Sequence, residues 1–201
     1  WWVVLGAPHQ LARYDGSEWT TWDVGMYAHS VALDSAGSAW VNGHFTQSPE
    51  LLASIARAGG VRTHLLPPHP TLATGDGGPV PYELRTGPDG TIWMSELQGN
   101  RIVAFHPSTG RSDVYEMPTS VSGPRRLDVD RQGVVWIPTY GAGGLVRLDP
   151  SADPKDRFQE IPLPLKDAAP YIARVHPRTG VVWIGTGTAD AVFAYHPRER
   201  R

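Results

Sequence analysis

Apolar and polar residues alternate over short runs that are separated by turns rich in Gly, Pro and Asp, and no stretch sustains a helical period. The pattern predicts strands throughout. Pro49 to Ala58 is the one segment with room for a short helical turn, although Leu51 to Ile55 reads equally well as a strand. The strands recur in sets. Trp40, Trp93, Trp136 and Trp183 share one setting, in which a turn ends in Gly and Trp follows shortly after among aliphatic residues. Their spacings of 53, 43 and 47 residues match the size of a four-stranded propeller blade. Trp2, 38 residues before Trp40, heads an earlier partial copy.

The copies align position by position. Ala28-His29-Ser30-Val31, Pro81-Tyr82-Glu83-Leu84, Pro124-Arg125-Arg126-Leu127 and Pro170-Tyr171-Ile172-Ala173 are expected as innermost strands. Turns follow at Asp34 to Gly37, Gly87 to Gly90, Asp130 to Gly133 and His176 to Gly180, where Gly supplies the positive φ of a tight hairpin. The Trp strand comes second. Third strands align at Ile102 to Pro107, Leu145 to Pro150 and Val192 to Pro197, and fourth strands at Val114 to Pro118 and Phe158 to Pro162, with Leu65-Leu66-Pro67 closing the second copy. The fold class expected is an all-β propeller: a partial blade at 1–24, full blades at 26–67, 81–118 and 124–164, and a partial blade at 170–197. That makes eighteen strands, which is not a multiple of four. An excerpt of a six- or seven-bladed ring is the simplest reading, with a five-bladed ring containing two imperfect blades as the alternative. A chain that opens without Met inside an apolar run also reads as an excerpt.

Composition narrows the chemistry. Forty per cent of the 201 residues are hydrophobic, enough for a buried core. Eighteen Lys and Arg against twenty Asp and Glu give a net charge of −2, which recommends neither a nucleic-acid nor an anionic-membrane partner. The absence of Cys excludes disulfides, thiolate zinc sites and thiol nucleophiles. It leaves the compartment open, with an extracytoplasmic location favoured. No apolar run reaches the length of a membrane span.

Pro81-Tyr82-Glu83-Leu84, Gly87-Pro88-Asp89-Gly90, Ile92-Trp93-Met94-Ser95-Glu96, Gly99-Asn100-Arg101-Ile102-Val103 and Tyr115-Glu116-Met117-Pro118 together resemble one blade of the virginiamycin B lyase (streptogramin lyase) family. The other blades are similar but more diverged. The resemblance implies a seven-bladed propeller whose lyase members open a cyclic depsipeptide antibiotic at an ester by elimination, with Mg²⁺ at the central pore. It also implies a small-molecule ligand at that pore and a monomer when full-length. In the family the catalytic His follows the residue that opens a first strand, and a Glu lies three residues after the Trp. The first kind of position holds His29, Tyr82, Arg125 and Tyr171 here, and the second holds Gly43, Glu96, Thr139 and Thr186. By resemblance His29 is the general base and Glu96 a catalytic residue and the Mg²⁺ ligand, whereas Tyr82, Arg125 and Tyr171 contact ligand. The bland reading of these residues is the polar lining of a wet pore. The alternative function is a non-catalytic propeller that binds a small molecule, glycan or protein on its top face.

Alternation turns Arg126 away from the pore. His44 and His69, in the connections 43–52 and 67–80, fall on the same face as His29, so that a His29, His44 and Glu96 metal cluster is a further expectation, without support from spacing. His106 and His196 precede Pro in turns of the opposite face. The Trp set is expected to be core packing between adjacent blades, with Trp19 and Trp22 as the better candidates for a sugar platform. Gly141 to Gly144 and Gly185 to Gly187 lack a following helix and read as tight strand connections rather than phosphate loops. Neither a Gly-x-Ser-x-Gly elbow nor a His-Glu-x-x-His pair is present.

Overall fold

A computed structural model of the chain describes residues 1–44, 51–72 and 78–198. These residues form eighteen strands in five antiparallel sheets, each sheet taking its strands in chain order. The first sheet has three strands, β1 (Trp2–Leu5), β2 (Gln10–Tyr14) and β3 (Trp19–Asp23). The second is β4 (Ala28–Leu33), β5 (Ala39–Gly43), β6 (Leu51–Ile55) and β7 (Val61–Leu65). The third is β8 (Pro81–Thr86), β9 (Ile92–Glu96), β10 (Arg101–His106) and β11 (Arg111–Glu116). The fourth is β12 (Asp128–Val129), β13 (Val135–Thr139), β14 (Gly144–Leu148) and β15 (Phe158–Pro162). The last is β16 (Pro170–Val175), β17 (Val182–Thr186) and β18 (Val192–Tyr195). Leu51 to Ile55 is thus a strand, because its buried Leu52, Ala53 and Ile55 fill a sheet interior. Pro49 and Glu50 lie outside the described residues.

The turn chemistry explains the strand order. Gly37, Gly90, Gly133 and Gly180 have φ of 80, 85, 82 and 75°, the left-handed region where a Cβ is penalised. Each glycine N–H returns to the carbonyl that opens its turn, Asp34, Gly87, Asp130 or His176, at 2.9–3.1 Å. First and second strands must therefore pair antiparallel.

Cores lie between sheets, so the second, third and fourth sheets bury both faces of their inner strands and free the outer one. Strands β9 and β13 are buried at every residue, while most positions of β3, β7, β11 and β15 are exposed. Trp40 packs with Leu84, Met94 and Phe105 of the next sheet, Trp93 with Leu127, Ile137 and Leu148, and Trp136 with Ala173 and Ile184. A large ring buries more apolar area per position than any other side chain, which is why one Trp per copy can hold two sheets together. Aspartates add a polar clasp. Asp34 and Asp130 accept hydrogen bonds from the indole N–H of Trp40 and Trp136 at 2.9 and 3.0 Å. Trp183 breaks the expected equivalence. It occupies the same place on its second strand but is 48% exposed, because no sheet among the described residues covers that flank.

Candidate functional site at the axial mouth

The second residue of each innermost strand is aimed by an irregularity in that strand. Pairing registers shift between Ala28 and Ser30, between Pro81 and Leu84, and between Pro170 and Ile172. Such bulges leave one residue out of the ladder and re-aim its side chain. His29 and Tyr171 are the single residues inside two of them, and Tyr82 shares the third with Glu83. In the fourth sheet regular pairing is reduced to Asp128–Val129, preceded by single bridges at Pro124 and Arg126. There the Leu127 N–H donates to the Arg125 carbonyl at 3.0 Å, a three-residue turn that interrupts alternation.

These four side chains converge. The His29 Nδ1 lies 2.6 Å from the Tyr82 carbonyl, and the two rings are 4.8 Å apart. The Tyr82 and Tyr171 hydroxyls hydrogen-bond each other. The Arg125 guanidinium carbon sits 5.5 Å from the Tyr82 ring centre, 4.8 Å from that of Tyr171 and 3.8 Å from that of Tyr140. Arg126 departs from its expected outward aim. Because the local turn removes the alternation, its guanidinium also faces the axis, 5.6 and 5.9 Å from the Tyr82 and Tyr171 rings.

Glu96 does not join them. Its side chain is 0% exposed, with Arg101 Nε donating to Oε2 at 2.5 Å and Nη2 to Oε1 at 3.1 Å. Arg101 Nη2 also donates to the Pro67 carbonyl at 2.7 Å. Burial pushes the carboxyl up, against the pull of Arg101. The repeat explains the placement. The third residue after each Trp reaches five residues ahead across a hairpin: Glu96 to Arg101, Thr139 to Gly144 and Thr186 to Ala191. Gly99 permits this, since a Cβ there would stand 2.6 Å from Glu96 Oε2. The position is a clasp between second and third strands.

The expectation that Glu96 ligates Mg²⁺ therefore does not fit its surroundings. Mg²⁺ is held through carboxylate oxygens and keeps several waters, and both oxygens of Glu96 are taken by a buried guanidinium. Among the described residues no group of three or more His, Asp and Glu is placed to hold a metal.

The mouth instead carries neutral bases and cations. His29 and His44 stack with ring centres 4.2 Å apart and planes at 16°. Burial lowers the pKa of both below the ordinary 6.5, and a charge on either opposes one on its neighbour. A carbonyl oxygen only accepts, so His29 Nδ1 is the protonated nitrogen, and its Nε2 keeps a lone pair at neutral pH. Burial raises the Tyr82 phenol, whereas the hydrogen bond from Tyr82 and the two arginines lower that of Tyr171. Below this layer Glu83 is buried on the axis, ion-paired with Arg85, and with Arg126 and Arg174 at 2.9 Å each. Ser30 Oγ donates to the same carboxylate at 3.2 Å. One carboxylate thus ties four sheets together.

Two contributors lay beyond the strand-opening pattern. His44, expected with His29 and Glu96, meets the His29 and Tyr82 rings at 4.2 and 5.2 Å and not Glu96. Tyr140 stands four residues after Trp136, as His44 does after Trp40, so the repeat register held the signal one position beyond Glu96. Gly187, the equivalent in the last sheet, leaves room for it, since a Cβ there would lie 2.9 Å from the Tyr140 ring. The remaining candidates have local partners. His69 Nδ1 accepts from the Thr71 and Leu72 N–H groups and its Nε2 bonds the Gly99 carbonyl at 3.1 Å. His106 Nε2 pairs with Asp113 at 2.9 Å. Trp22 stacks on Trp2 at 5.4 Å, and Trp19 leans on Tyr14 at 5.1 Å.

No protein-family model matches this chain, and no curated protein sequence does. Among solved structures it is similar to a streptogramin B lyase, at 16% identity and TM-score 0.77 over 97% of this chain and 64% of that one. It is similar to a virginiamycin B lyase from Staphylococcus aureus, at 17% identity and TM-score 0.78 over 96% of this chain and 65% of that one. A putative gluconolactonase matches at 14% identity and TM-score 0.63, over 96% of this chain and 72% of that one. The chain therefore spans about two thirds of the length of the lyases it matches. Identities this low speak to architecture alone, and the architecture is that of a virginiamycin B lyase-like β-propeller.

Proposed function

We propose that the axial mouth binds a small ester- or lactone-containing molecule and opens it by elimination, with His29 as the base. The observation that carries this reading is the His29 imidazole. Its Nδ1–H is committed to the Tyr82 carbonyl and its pKa is lowered by burial, so that Nε2 is an available acceptor at neutral pH beside two tyrosines and an arginine. In the reaction Nε2 takes the proton α to a carbonyl, and the C–H electron pair becomes the new C=C bond. The β C–O bond breaks with its pair on oxygen, and a carboxylate leaves. The similarity to streptogramin B lyase in fold makes a streptogramin B lactone the first substrate to try.

The experiment incubates the purified protein with that lactone and follows the product mass. Elimination opens the ring without changing mass and creates a conjugated double bond, whereas hydrolysis adds one water. His29→Ala is expected to lower the rate by roughly 10² to 10⁴-fold, the usual worth of a positioned base. A full rate in H29A would sink the assignment. A second reading, a non-catalytic module for a small molecule, glycan or protein, is favoured by the enclosure of Glu96 away from the mouth. Saturable binding with no lactone consumed would establish it instead.

A further inference from the structure

We infer that Arg125 is a carboxylate-binding centre, and that it supplies the positive charge at the mouth for which the family resemblance assigns a metal. The inference rests on the proposed ligand chemistry for its role in turnover, but its binding claim stands on geometry. Four arginines, Arg85, Arg125, Arg126 and Arg174, crowd the axis with two carboxylates, Glu83 and Asp128. Arg85 contacts both carboxylates, and Arg126 and Arg174 bind Glu83. Arg125 alone of the four has no carboxylate within 4 Å among the described residues.

Its surroundings hold it flat without neutralising it. Tyr140, Tyr171 and Tyr82 rings stand 3.8, 4.8 and 5.5 Å from its guanidinium carbon, a cage that fixes the plane through cation–π attraction, and a side-chain hydrogen bond to Tyr171 helps to hold it there. The hydrogen bond from Nη1 to the Tyr82 hydroxyl is long, at 3.4 Å, and the buried Nε–H has no partner. A planar guanidinium with spare donors suits a carboxylate better than a point-like ammonium would. Aromatic walls add an apolar rim, so the ligand class is an organic acid with a flat or apolar body.

Elimination across an ester releases such an anion. The leaving oxygen ends as a carboxylate, and Arg125 lies in the same ring cluster as His29, linked through Tyr82. His29 would hold the proton while Arg125 holds the departing negative charge. Neither step needs a carboxylate ligand for a metal.

The test titrates the purified protein with benzoate and with benzamide, its uncharged isostere, while recording tyrosine ring resonances. We expect benzoate to bind at least tenfold more tightly, to shift the rings of Tyr140 and Tyr171, and to bind equally with Mg²⁺ or with a chelator. Arg125→Gln should abolish the preference. Equal binding of the two probes, shifts confined to other residues, dependence on Mg²⁺, or an unchanged preference in R125Q would each overturn the inference. The ring-shift readout needs no variant, so a misfolded R125Q leaves the test intact. Benzoate bound through Arg125 with no lactone opened would defeat the lyase reading alone. Lactone opening at full rate in R125Q would defeat this inference alone.

Discussion

Glu96 and His29 are both titratable groups, and their surroundings send them to opposite tasks. Glu96 is sealed against Arg101, so removing its charge leaves a buried guanidinium uncompensated. Glu96→Gln is therefore expected to cost about 3 kcal/mol, as breaking a buried pair does. Urea unfolding measures this cost, and benzoate affinity of the folded variant should stay at the wild-type value. His29 is half-buried and neutral, and its pH dependence has a definite sign. Its native pKa lies below the 6.5 of an unfolded chain, so between those two values the unfolded state binds more protons than the native one. Stability from this group is complete above about pH 6.5 and declines as pH falls towards the native pKa, and His44 and His64 add to the trend. Histidine NMR titration should place the His29 midpoint below 6.5. The acid limb of lactone turnover should fall at the same midpoint, and a midpoint above 6.5 would contradict the burial argument.

Single elements repeat with small deviations, and the deviations make the site. A regular innermost strand would alternate its side chains between two sheet interfaces, whereas a bulge at the second residue turns His29, Tyr82 and Tyr171 into the mouth. The second strands carry the adhesion. Trp136 is 2% exposed between two sheets, so Trp136→Ala should cost about 3 to 5 kcal/mol, the range for a buried large aromatic. Trp183 occupies the same register at 48% exposure, and Trp183→Ala should cost only about 1 kcal/mol, nearer to a surface change. Equal melting losses in the two variants would mean that Trp183 is covered in solution. Strand positions and their order are legible in the sequence, because hairpin glycines act over a few residues and the Trp marker recurs once per copy. Bulges are not, since they depend on which neighbouring strand takes up the hydrogen bonds.

Among the described residues the sheets pack side by side, and the first and last sheets each expose apolar groups on their outer flank. One carries Trp183 and Val192, at 48% and 68% exposure, on the sheet that ends in β18. Trp1 and Trp19 are exposed on the first sheet. Apolar flanks bearing unpaired strand edges favour association. A polypeptide of these residues should therefore associate with increasing concentration, and Trp183→Lys with Val192→Lys should reduce it. Analytical ultracentrifugation checks this, and a monodisperse parent at high concentration would refute it. No helix among the described residues is long and apolar enough to cross a membrane.

By itself the sequence determined the hairpin turns, the Trp period, most of the strands and three of the four residues expected to open innermost strands; in the fourth sheet the strand itself begins only at Asp128. These follow from local backbone sterics and from burial demands that repeat every 43 to 53 residues. Tertiary structure alone decided the partners of the charged groups. Arg101 and Glu96 meet across one hairpin, Glu83 gathers arginines from three sheets, and Tyr140 from the fourth sheet lies under Arg125. Ion pairs and ring stacks depend on distances of a few ångströms, within a hairpin for Arg101 and Glu96 and between distant segments for Glu83 with Arg126 and Arg174. A residue pattern holds the identity of such groups, but only packing brings a carboxylate to one guanidinium and leaves another without one.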